Sequence, residues 1–188
     1  MDPSPDPARY LREQTAAEHQ ATERYLGAKQ ILGPDFTLPA YVRLVGVQAA
    51  VWSAFAAAAP AVAPAWYADY APLVGKLARA AAADLAGVGG AEPTVDYPKP
   101  TTAAELLGAT YVHLGSLLGG GFIHAALARR PEEAVRDNLR FYAACADFGR
   151  ARWAGVQRVL DHELAQPDRR EQAVAHARRT FAAYRTIT

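Results

Sequence analysis

Four glycines lie within the seven positions 115–121, inside a segment whose flanks have the periodicity of an amphipathic helix. A glycine in a helix interior costs roughly 0.8–1.0 kcal/mol relative to alanine, and this chain uses alanine freely elsewhere. Side chains are therefore disfavoured on this surface. The possible reasons are the close approach of a second helix, a kink, or a flat ligand lying against bare backbone.

The rest of the chain also has a helical pattern, with proline and glycine between successive apolar segments. A length of 188 residues suits one domain with a sizeable core, so we predict a single domain over residues 1–188. We expect the proline-rich residues 1–6 to be disordered and residues 87–100 to form an irregular connection. The predicted fold is an all-α, multi-helix bundle, with helices over residues 7–26, 38–59, 72–86, 102–130, 132–164 and 168–185. We expect a kink around Gly149 or Gly155 in the helix over residues 132–164.

Composition excludes several classes of partner. A formal charge of +1 lacks the positive excess of a nucleic-acid-binding protein. The N-terminus has no basic and apolar secretion signal, and no apolar segment is a convincing membrane span, so we predict no membrane association. Cys145 is the only cysteine, which excludes an intrachain disulfide and a multi-cysteine metal site, and we expect it to be a buried thiol. These observations favour a cytoplasmic protein.

A second notable segment is Thr15–Glu23, which places His19 one helical turn before Glu23. A carboxylate at i+4 can accept the Nδ1 hydrogen of the imidazole and leave Nε2 as a neutral metal ligand. The alternative is a solvated His–Glu pair on a helix surface. No second histidine or glutamate stands at the spacing of a zinc or di-iron site. One histidine helix and one glycine-bearing helix could instead enclose a planar macrocycle, and a single histidine suggests heme.

Both segments resemble motifs of the heme oxygenases, especially the bacterial type that supplies bilin to bacteriophytochromes. Residues 11–23 are similar to the proximal helix of that family, in which a histidine binds the heme iron and a glutamate one turn later can orient it. Residues 107–120 are similar to its glycine-kinked distal helix. The resemblance covers nearly the whole chain, including the C-terminal segments Phe141-Tyr142, Arg152-Trp153 and Ala177–Phe181.

The resemblance implies a reaction in which b-type heme, held between the proximal and distal helices, is both cofactor and substrate. O2 and electrons from ferredoxin or another reductase would open the ring to biliverdin, carbon monoxide and ferrous iron. A bacteriophytochrome is the implied acceptor of the bilin. In this assignment His19 binds the iron with Glu23 beside it, and the distal, catalytic wall consists of Gly115, Ser116, Gly119 and Gly120.

The distal motif departs from the family pattern because it carries no carboxylate. Leu114 stands where the bacterial type has glutamate, and Ser116 stands where the animal type has aspartate. We expect Ser116 to hold water for proton delivery, with His113 or Arg150 contributing. For the heme propionates, the basic and hydroxyl groups implied are Arg12, Tyr111 and Arg150, although each arginine could equally be a solvated surface charge.

The remaining polar residues have less specific interpretations. His113 is expected to be a packing or rim residue, and His162 and His176 are expected to be exposed. The arginines of the last helix are predicted to form a solvated face or a docking surface for an acidic electron donor. These residues are Arg169, Arg170, Arg178, Arg179 and Arg185. Two other functions stay open: a non-catalytic heme-binding or heme-carrying protein, and a relative that binds another ligand, as thiamin-degrading and quinone-cofactor enzymes do.

Overall fold

The computed structural model describes residues 6–31, 33 and 35–187, which fold as an all-α protein. Among these residues no strand forms, and the only β-like pairing is one antiparallel bridge between Val95 and Ile187. The helices are α1 (Pro7–Gln14), α2 (Ala16–Tyr25), α3 (Ala28–Ile31), α4 (Leu38–Ala58), α5 (Ala71–Gly87), α6 (Ala103–Ser116), α7 (Gly120–Leu127), α8 (Glu133–Arg136), α9 (Arg140–Ala146), α10 (Gly149–Glu163) and α11 (Pro167–Ala183). Short 3₁₀ segments lie at Ala59–Ala61, Ala65–Asp69 and Leu117–Gly119.

Helices whose ends carry local signals begin where the sequence predicts. The Thr37 hydroxyl accepts from the backbone N–H of Ala40 at the start of α4, and the Thr102 hydroxyl accepts from that of Glu105 at the start of α6. Proline occupies the first turn of α4, α5 and α11. The predicted helices over 38–59, 72–86 and 168–185 are therefore confirmed within one or two residues.

The predicted helix over residues 7–26 is wrong in one respect, because it is broken at Thr15. The backbone there has φ −113° and ψ 8°, which ends α1 and precedes α2. The Thr15 side chain is buried, and its hydroxyl donates to the carbonyl of Leu11 at 2.7 Å. A threonine hydroxyl bonded to the carbonyl four residues earlier competes with regular helix geometry and bends the chain.

The predicted helix over residues 132–164 is also wrong, because the chain forms α8, α9 and α10 instead. The α9 helix begins where the buried Asp84 carboxylate accepts from the N–H groups of Arg140 and Phe141, at 3.1 and 2.8 Å. The α10 helix begins at Gly149, whose φ of +62° suits glycine. In the glycine-bearing helix, the 3₁₀ segment Leu117–Gly119 separates α6 from α7.

The core lies around α4, which packs along α5 and carries the fully buried Tyr41, Trp52 and Phe55. The α6 and α11 helices also pack closely together. Gly108 permits this approach, because a Cβ at that position would lie 2.2 Å from the Ala173 carbonyl oxygen. These pairings bring the C-terminal helix against the glycine-bearing segment.

Two helical stretches are long and apolar enough to cross a membrane, Leu38–Ala61 and Ala103–Leu127. Their most apolar windows are 67% and 56% buried inside the fold, as expected of core helices. The absence of membrane association therefore stays a prediction.

Asp6 is a correction to the predicted disorder of residues 1–6. Its carboxylate accepts from the backbone N–H of Ala8 at 2.9 Å and caps α1, since an aspartate before a proline is a good helix start. The prediction for residues 1–5 falls outside the described residues.

Candidate functional site

A cavity of about 700 Å³ opens between the N-terminal helices and the junction of α6 with α7. Side chains from α1, α2, α4, α9, α10 and the end of α11 complete its walls, and most are apolar. Its size falls in the usual range for small-molecule and cofactor sites, about 300–1,000 Å³. Eight of the nine predicted site residues line it: Arg12, His19, Glu23, Tyr111, Gly115, Ser116, Gly119 and Gly120.

His19 lies on α2 with its side chain about half exposed at the cavity. Its ring centroid is 5.4 Å from that of Phe181 on α11. The hydroxyl of the buried Thr22 donates to the Phe181 carbonyl at 3.1 Å, which fixes α2 against α11. This anchor, one turn from His19, holds the histidine face of α2 at the cavity.

Glu23 pairs with His19 as the spacing predicts, but through the other ring nitrogen. Glu23 Oε1 lies 3.4 Å from Nε2, whereas the predicted contact was to Nδ1. Both side chains are 55% exposed, so the contact contributes little to stability. For Nε2 to bind a metal, this contact with Glu23 must be exchanged.

The four glycines of the distal segment have different roles. A Cβ at Gly119 or Gly121 would meet nothing within 4 Å, and one at Gly115 would make ordinary contact with Trp153 at 3.5 Å. At Gly120 a Cβ would lie 2.3 Å from the Cβ of Cys145. Gly120 is therefore a correction: it is buried and needed for close packing on α9, whereas Gly119 is the glycine that leaves open space at the cavity wall.

Ser116 lies at the C-terminal end of α6, facing the cavity. Its hydroxyl donates to the His113 carbonyl at 2.7 Å, and Tyr184 lines the same cavity. Among the described residues, the only carboxylates lining the cavity are Asp6 and Glu23, which belong to the N-terminal segment. The distal wall thus presents hydroxyl groups instead of a carboxylate.

Arg12 and Tyr111 form a polar corner of the same cavity. Burial raises the pKa of Tyr111, while a hydrogen bond with the Thr15 side chain and the positive charge of Arg12 partly oppose that rise. Arg12 is exposed and Arg9 lines the cavity beside it. A guanidinium and a phenol hydroxyl next to one another can donate to an anionic group.

Arg150 is the one predicted site residue that the structure does not bring to this cavity. It lines a neighbouring, more open groove of about 740 Å³ together with Gly121 and Phe122. The positive φ of Gly149 interrupts the helical path at the start of α10, at one of the two glycines where the sequence predicts a kink.

Two of the histidines discussed above that do not line the cavity, His113 and His176, lie in the core. His113 is fully buried as a packing residue, stacked on Phe55 with ring centroids 4.2 Å apart, and burial lowers its pKa to about 3. His176 is a correction: it was predicted to be exposed, but it has no exposed surface and burial lowers its pKa to about 4. His176 lies on the face of α11 that packs against α6, whereas His162 is exposed as predicted.

The arginines of α11 are not a free solvated face. Arg178 donates to the backbone carbonyl of Gln14 at 3.0 and 2.7 Å, and Arg179 binds the Glu105 carboxylate at 2.8 Å. Arg170 is buried and donates to the carbonyls of Leu164 and Ala165. These contacts tie α11 to α1, α6 and the end of α10. The predicted interpretation as a solvated surface is corrected for Arg170, whereas Arg178 and Arg179 stay exposed while they make their contacts.

Several cavity residues are not identified by sequence motifs, notably Gln48, Phe181 and Tyr184. They come from α4 and the C-terminal segment, and no local spacing links them to His19 or Ser116. Tyr142 also lines the cavity, and its buried hydroxyl has no hydrogen-bond partner among the described residues. A buried orphan hydroxyl indicates a site for a ligand or an ordered water.

No group of three or more His, Cys, Asp or Glu side chains that could hold a metal ion occurs in the described ranges. The free thiol of Cys145 is buried, and burial raises its pKa, as expected of an inert cysteine. The cavity therefore offers one histidine as a metal ligand.

The family model described as heme oxygenase matches residues 6–188. No curated protein matches the chain.

Proposed function

Since this chain belongs to the heme oxygenase family, we propose that it binds heme as substrate in the cavity between α2 and the α6–α7 junction and cleaves it oxidatively. The products are biliverdin, carbon monoxide and ferrous iron, and the reaction consumes O2 and external electrons. The observation that carries the proposal is that His19 and the predicted distal residues, from helices about 100 residues apart, line one cavity of about 700 Å³.

The residues present fit heme. The lining is mostly apolar, as a porphyrin face requires, with one histidine on one side and the open backbone of Gly119 on the other. Arg9, Arg12 and Tyr111 supply positive charge and a hydroxyl donor for the propionates. The orphan hydroxyl of Tyr142 adds a buried polar group that a ligand or its bound water can satisfy.

Each part of the cavity has a distinct task in this function. Bound heme supplies the iron at which O2 is activated. His19 provides a neutral imidazole as the iron ligand, which pushes less electron density toward O–O cleavage than a thiolate does. Arg12 and Tyr111 orient the ring through its propionates, and Gly119 lets the distal backbone approach the ring face. Ser116, backed by Tyr184, is the polar group of the distal wall.

A non-catalytic heme-binding or heme-carrying protein is the second candidate function. One observation favours it: among the described lining residues, the distal motif contributes no carboxylate. Proton delivery to bound oxygen is thus left to hydroxyl groups and water. Both candidates share the same iron ligand and differ in whether heme is turned over.

The finer identity of the protein is also proposed from the motif resemblance. We assign it to the bacterial, bacteriophytochrome-associated type, with ferredoxin or another reductase as electron donor and a bacteriophytochrome as bilin acceptor. A cytoplasmic location is supported by the single buried thiol.

The test is an absorption spectrum of the protein with stoichiometric hemin, comparing wild type with His19→Ala. The His162→Ala variant is the matched control, because His162 is exposed and does not line the cavity. Ascorbate, or ferredoxin with its reductase, is then added under air. We expect a Soret band in wild type and His162→Ala that decays into a broad red biliverdin band, and neither change in His19→Ala.

Other outcomes discriminate between the candidates. A stable Soret band that depends on His19 but does not decay supports the heme-binding protein. Failure of the wild type to form a heme complex overturns both functions.

A further inference from the structure

A buried amide without a protein partner lines the cavity. Gln48 lies on α4 and is only 8% exposed, and its side chain makes no hydrogen bond with any other described residue. Leaving Tyr and Trp aside, the other buried polar side chains in the described part of the chain all bond to protein groups, as those of Thr15, Thr22 and Asn138 do. Gln48 is therefore a polar group that the fold itself leaves unsatisfied.

The surroundings of Gln48 on α4 are apolar. The residues one helical turn away in either direction are all buried and apolar; they are Leu44, Val45, Val51 and Trp52. Trp52 packs against Phe141 of α9 with ring centroids 5.9 Å apart, and Phe141 lines the same cavity. Neither amide atom of Gln48 is fully enclosed by the described residues. A molecule in the cavity is therefore the partner that the amide can reach.

The charged groups of the cavity come from another part of the chain. The aspartate, glutamate, arginine and histidine side chains that line it all belong to residues 6–23, whereas Gln48 comes from α4. In the proposed function, the anionic propionates of heme bind at Arg9, Arg12 and Tyr111. The Gln48 amide is neutral, and it donates through its NH2 group and accepts through its carbonyl oxygen. It therefore suits a neutral ligand group that also both donates and accepts.

The substrate has no such group, but the product of the proposed reaction does. Apart from its propionates, the edge of b-type heme carries only methyl groups, vinyl groups and meso C–H groups. Oxidative ring opening expels one meso carbon as carbon monoxide, and O2 supplies the oxygen of a lactam on each of the two flanking pyrrole rings. A lactam presents a C=O acceptor beside an N–H donor, which complements the amide of a glutamine.

We propose that Gln48 is a product-recognition residue, whose amide hydrogen-bonds a terminal lactam of the linear bilin and has no partner on heme. The inference rests on the proposed function for the identity of the product. When a porphyrin fills the cavity the amide is buried unpaired, and when the bilin fills it the amide is satisfied. Gln48 thus shifts the binding preference of the cavity toward the open-chain product.

The test compares wild type with Gln48→Met, because methionine keeps the length of the side chain and removes its hydrogen-bonding groups. Hemin, metal-free protoporphyrin IX and biliverdin are each titrated into the heme-free protein, and binding is followed by quenching of tryptophan fluorescence, since Trp153 lines the cavity. Protoporphyrin IX is the matched ligand, because it shares the propionate, methyl and vinyl groups of hemin and has neither iron nor lactams.

We expect Gln48→Met to weaken biliverdin binding about tenfold, the usual worth of neutral hydrogen bonds lost from a buried site. Binding of hemin and protoporphyrin should be unchanged or strengthened, because no unpaired amide is then buried. Gln20→Met is the control, since Gln20 is exposed and does not line the cavity, and it should change none of these affinities. Gln48→Leu replaces Gln48→Met if that variant does not fold.

Other outcomes overturn the proposal. Equal weakening of all ligands by Gln48→Met would mean that the amide binds a propionate, and unchanged biliverdin binding would mean that it meets only water. Either result, with a normal hemin complex in the wild type, overturns this inference alone. Failure of the wild type to bind either porphyrin instead overturns the proposed function.

A vibrational measurement detects the contact directly. A hydrogen bond lowers the C=O stretching frequency of a lactam, so the infrared spectrum of bound biliverdin reports on Gln48. We expect a lactam band at higher frequency in Gln48→Met than in wild type and Gln20→Met. Identical band positions in the complexes overturn the proposal even if the affinities differ.

Discussion

Asp84 shows how a single buried residue decides where a helix begins. It has no exposed surface, and its carboxylate accepts from the backbone N–H groups of Arg140 and Phe141 and from the Arg140 guanidinium at 3.2 Å. The first turn of a helix has N–H groups without intrahelical partners. Asp84 satisfies two of them from α5, and it thereby positions α9 and the cavity residue Tyr142.

We expect Asp84→Ala to lower the free energy of unfolding by about 3 kcal/mol, since it leaves the buried N–H group of Phe141 and the part-buried N–H group of Arg140 unsatisfied. Urea unfolding measures the change. Arg140→Ala is the control, and because the Arg140 side chain is 57% exposed, its loss should cost under about 1 kcal/mol. Equal losses in the two variants would show that the ion pair, and not the helix cap, carries the energy.

Glu23 provides a second prediction at the residue scale. It contacts His19 Nε2, the nitrogen expected to bind iron, and this contact is half exposed. We therefore expect Glu23→Ala to change the heme dissociation constant by less than about fivefold, the equivalent of an exposed ion pair. A hemin titration followed at the Soret band measures it.

The contrary result would be informative. A partner that orients a metal-bound histidine through Nδ1 typically contributes about 10–100-fold in affinity. A loss of that size in Glu23→Ala would mean that the glutamate moves to Nδ1 when heme binds, as the sequence predicts.

At the scale of elements, the distal segment uses glycine for two purposes, close helix packing and an open cavity wall, and the sequence does not distinguish them. The α6 and α7 helices are joined by the 3₁₀ segment Leu117–Gly119, so the helix is locally tightened at the cavity wall. Gly120 lets α7 pack on α9, whereas Gly119 leaves the wall open. Both are glycines in one short run, but only their neighbours in space distinguish them.

The matched pair Gly120→Ala and Gly119→Ala tests this distinction. Gly120→Ala should destabilise the fold by about 1–3 kcal/mol, because its Cβ would overlap with Cys145. Gly119→Ala should be neutral or stabilising by up to about 1 kcal/mol, since it meets nothing within 4 Å and its φ of −85° suits alanine. Thermal unfolding of the heme-free proteins measures both. A loss at Gly119 equal to that at Gly120 would contradict the assignment.

At the scale of the whole molecule, two buried histidines make the fold sensitive to acid. Burial lowers the pKa of His113 to about 3 and of His176 to about 4, with the positive charge of Arg179 contributing at His176. In the unfolded chain both pKa values return to about 6.5. Between about pH 4 and 6.5 the unfolded chain thus binds more protons than the folded one, and stability rises with pH.

We expect the free energy of unfolding to fall by about 1.4–2.7 kcal/mol per pH unit between pH 6 and pH 5, because each neutral histidine contributes at most about 1.4. Urea unfolding at several pH values measures the slope, and His113→Asn should remove about half of it. Glu105, whose pKa is lowered to about 2 by hydrogen bonds from Thr101 and Arg179 against the effect of burial, adds to the loss only below about pH 4.5. A flat profile between pH 5 and 6 would contradict the neutral core histidines.

The amino-acid sequence by itself determined what depends on neighbours along the chain. Periodicity, threonine caps and first-turn prolines located α4, α5 and α11, and i,i+4 spacing paired His19 with Glu23. These signals act within one or two helical turns, so they can be recognised from the sequence alone. The family motifs extended that reading to the cavity, because they record which local segments face each other.

Only the tertiary structure decided what depends on contacts between distant residues. Asp84 starts α9 from 56 positions earlier, His176 is buried because α11 packs on α6, and the Tyr184 phenol contacts His113, 71 positions away in sequence. The same packing distinguishes Gly119 from Gly120. The burial of a side chain and the direction of its hydrogen bonds depend on all the atoms around it. Residues far apart in sequence supply those atoms only once the helices have packed.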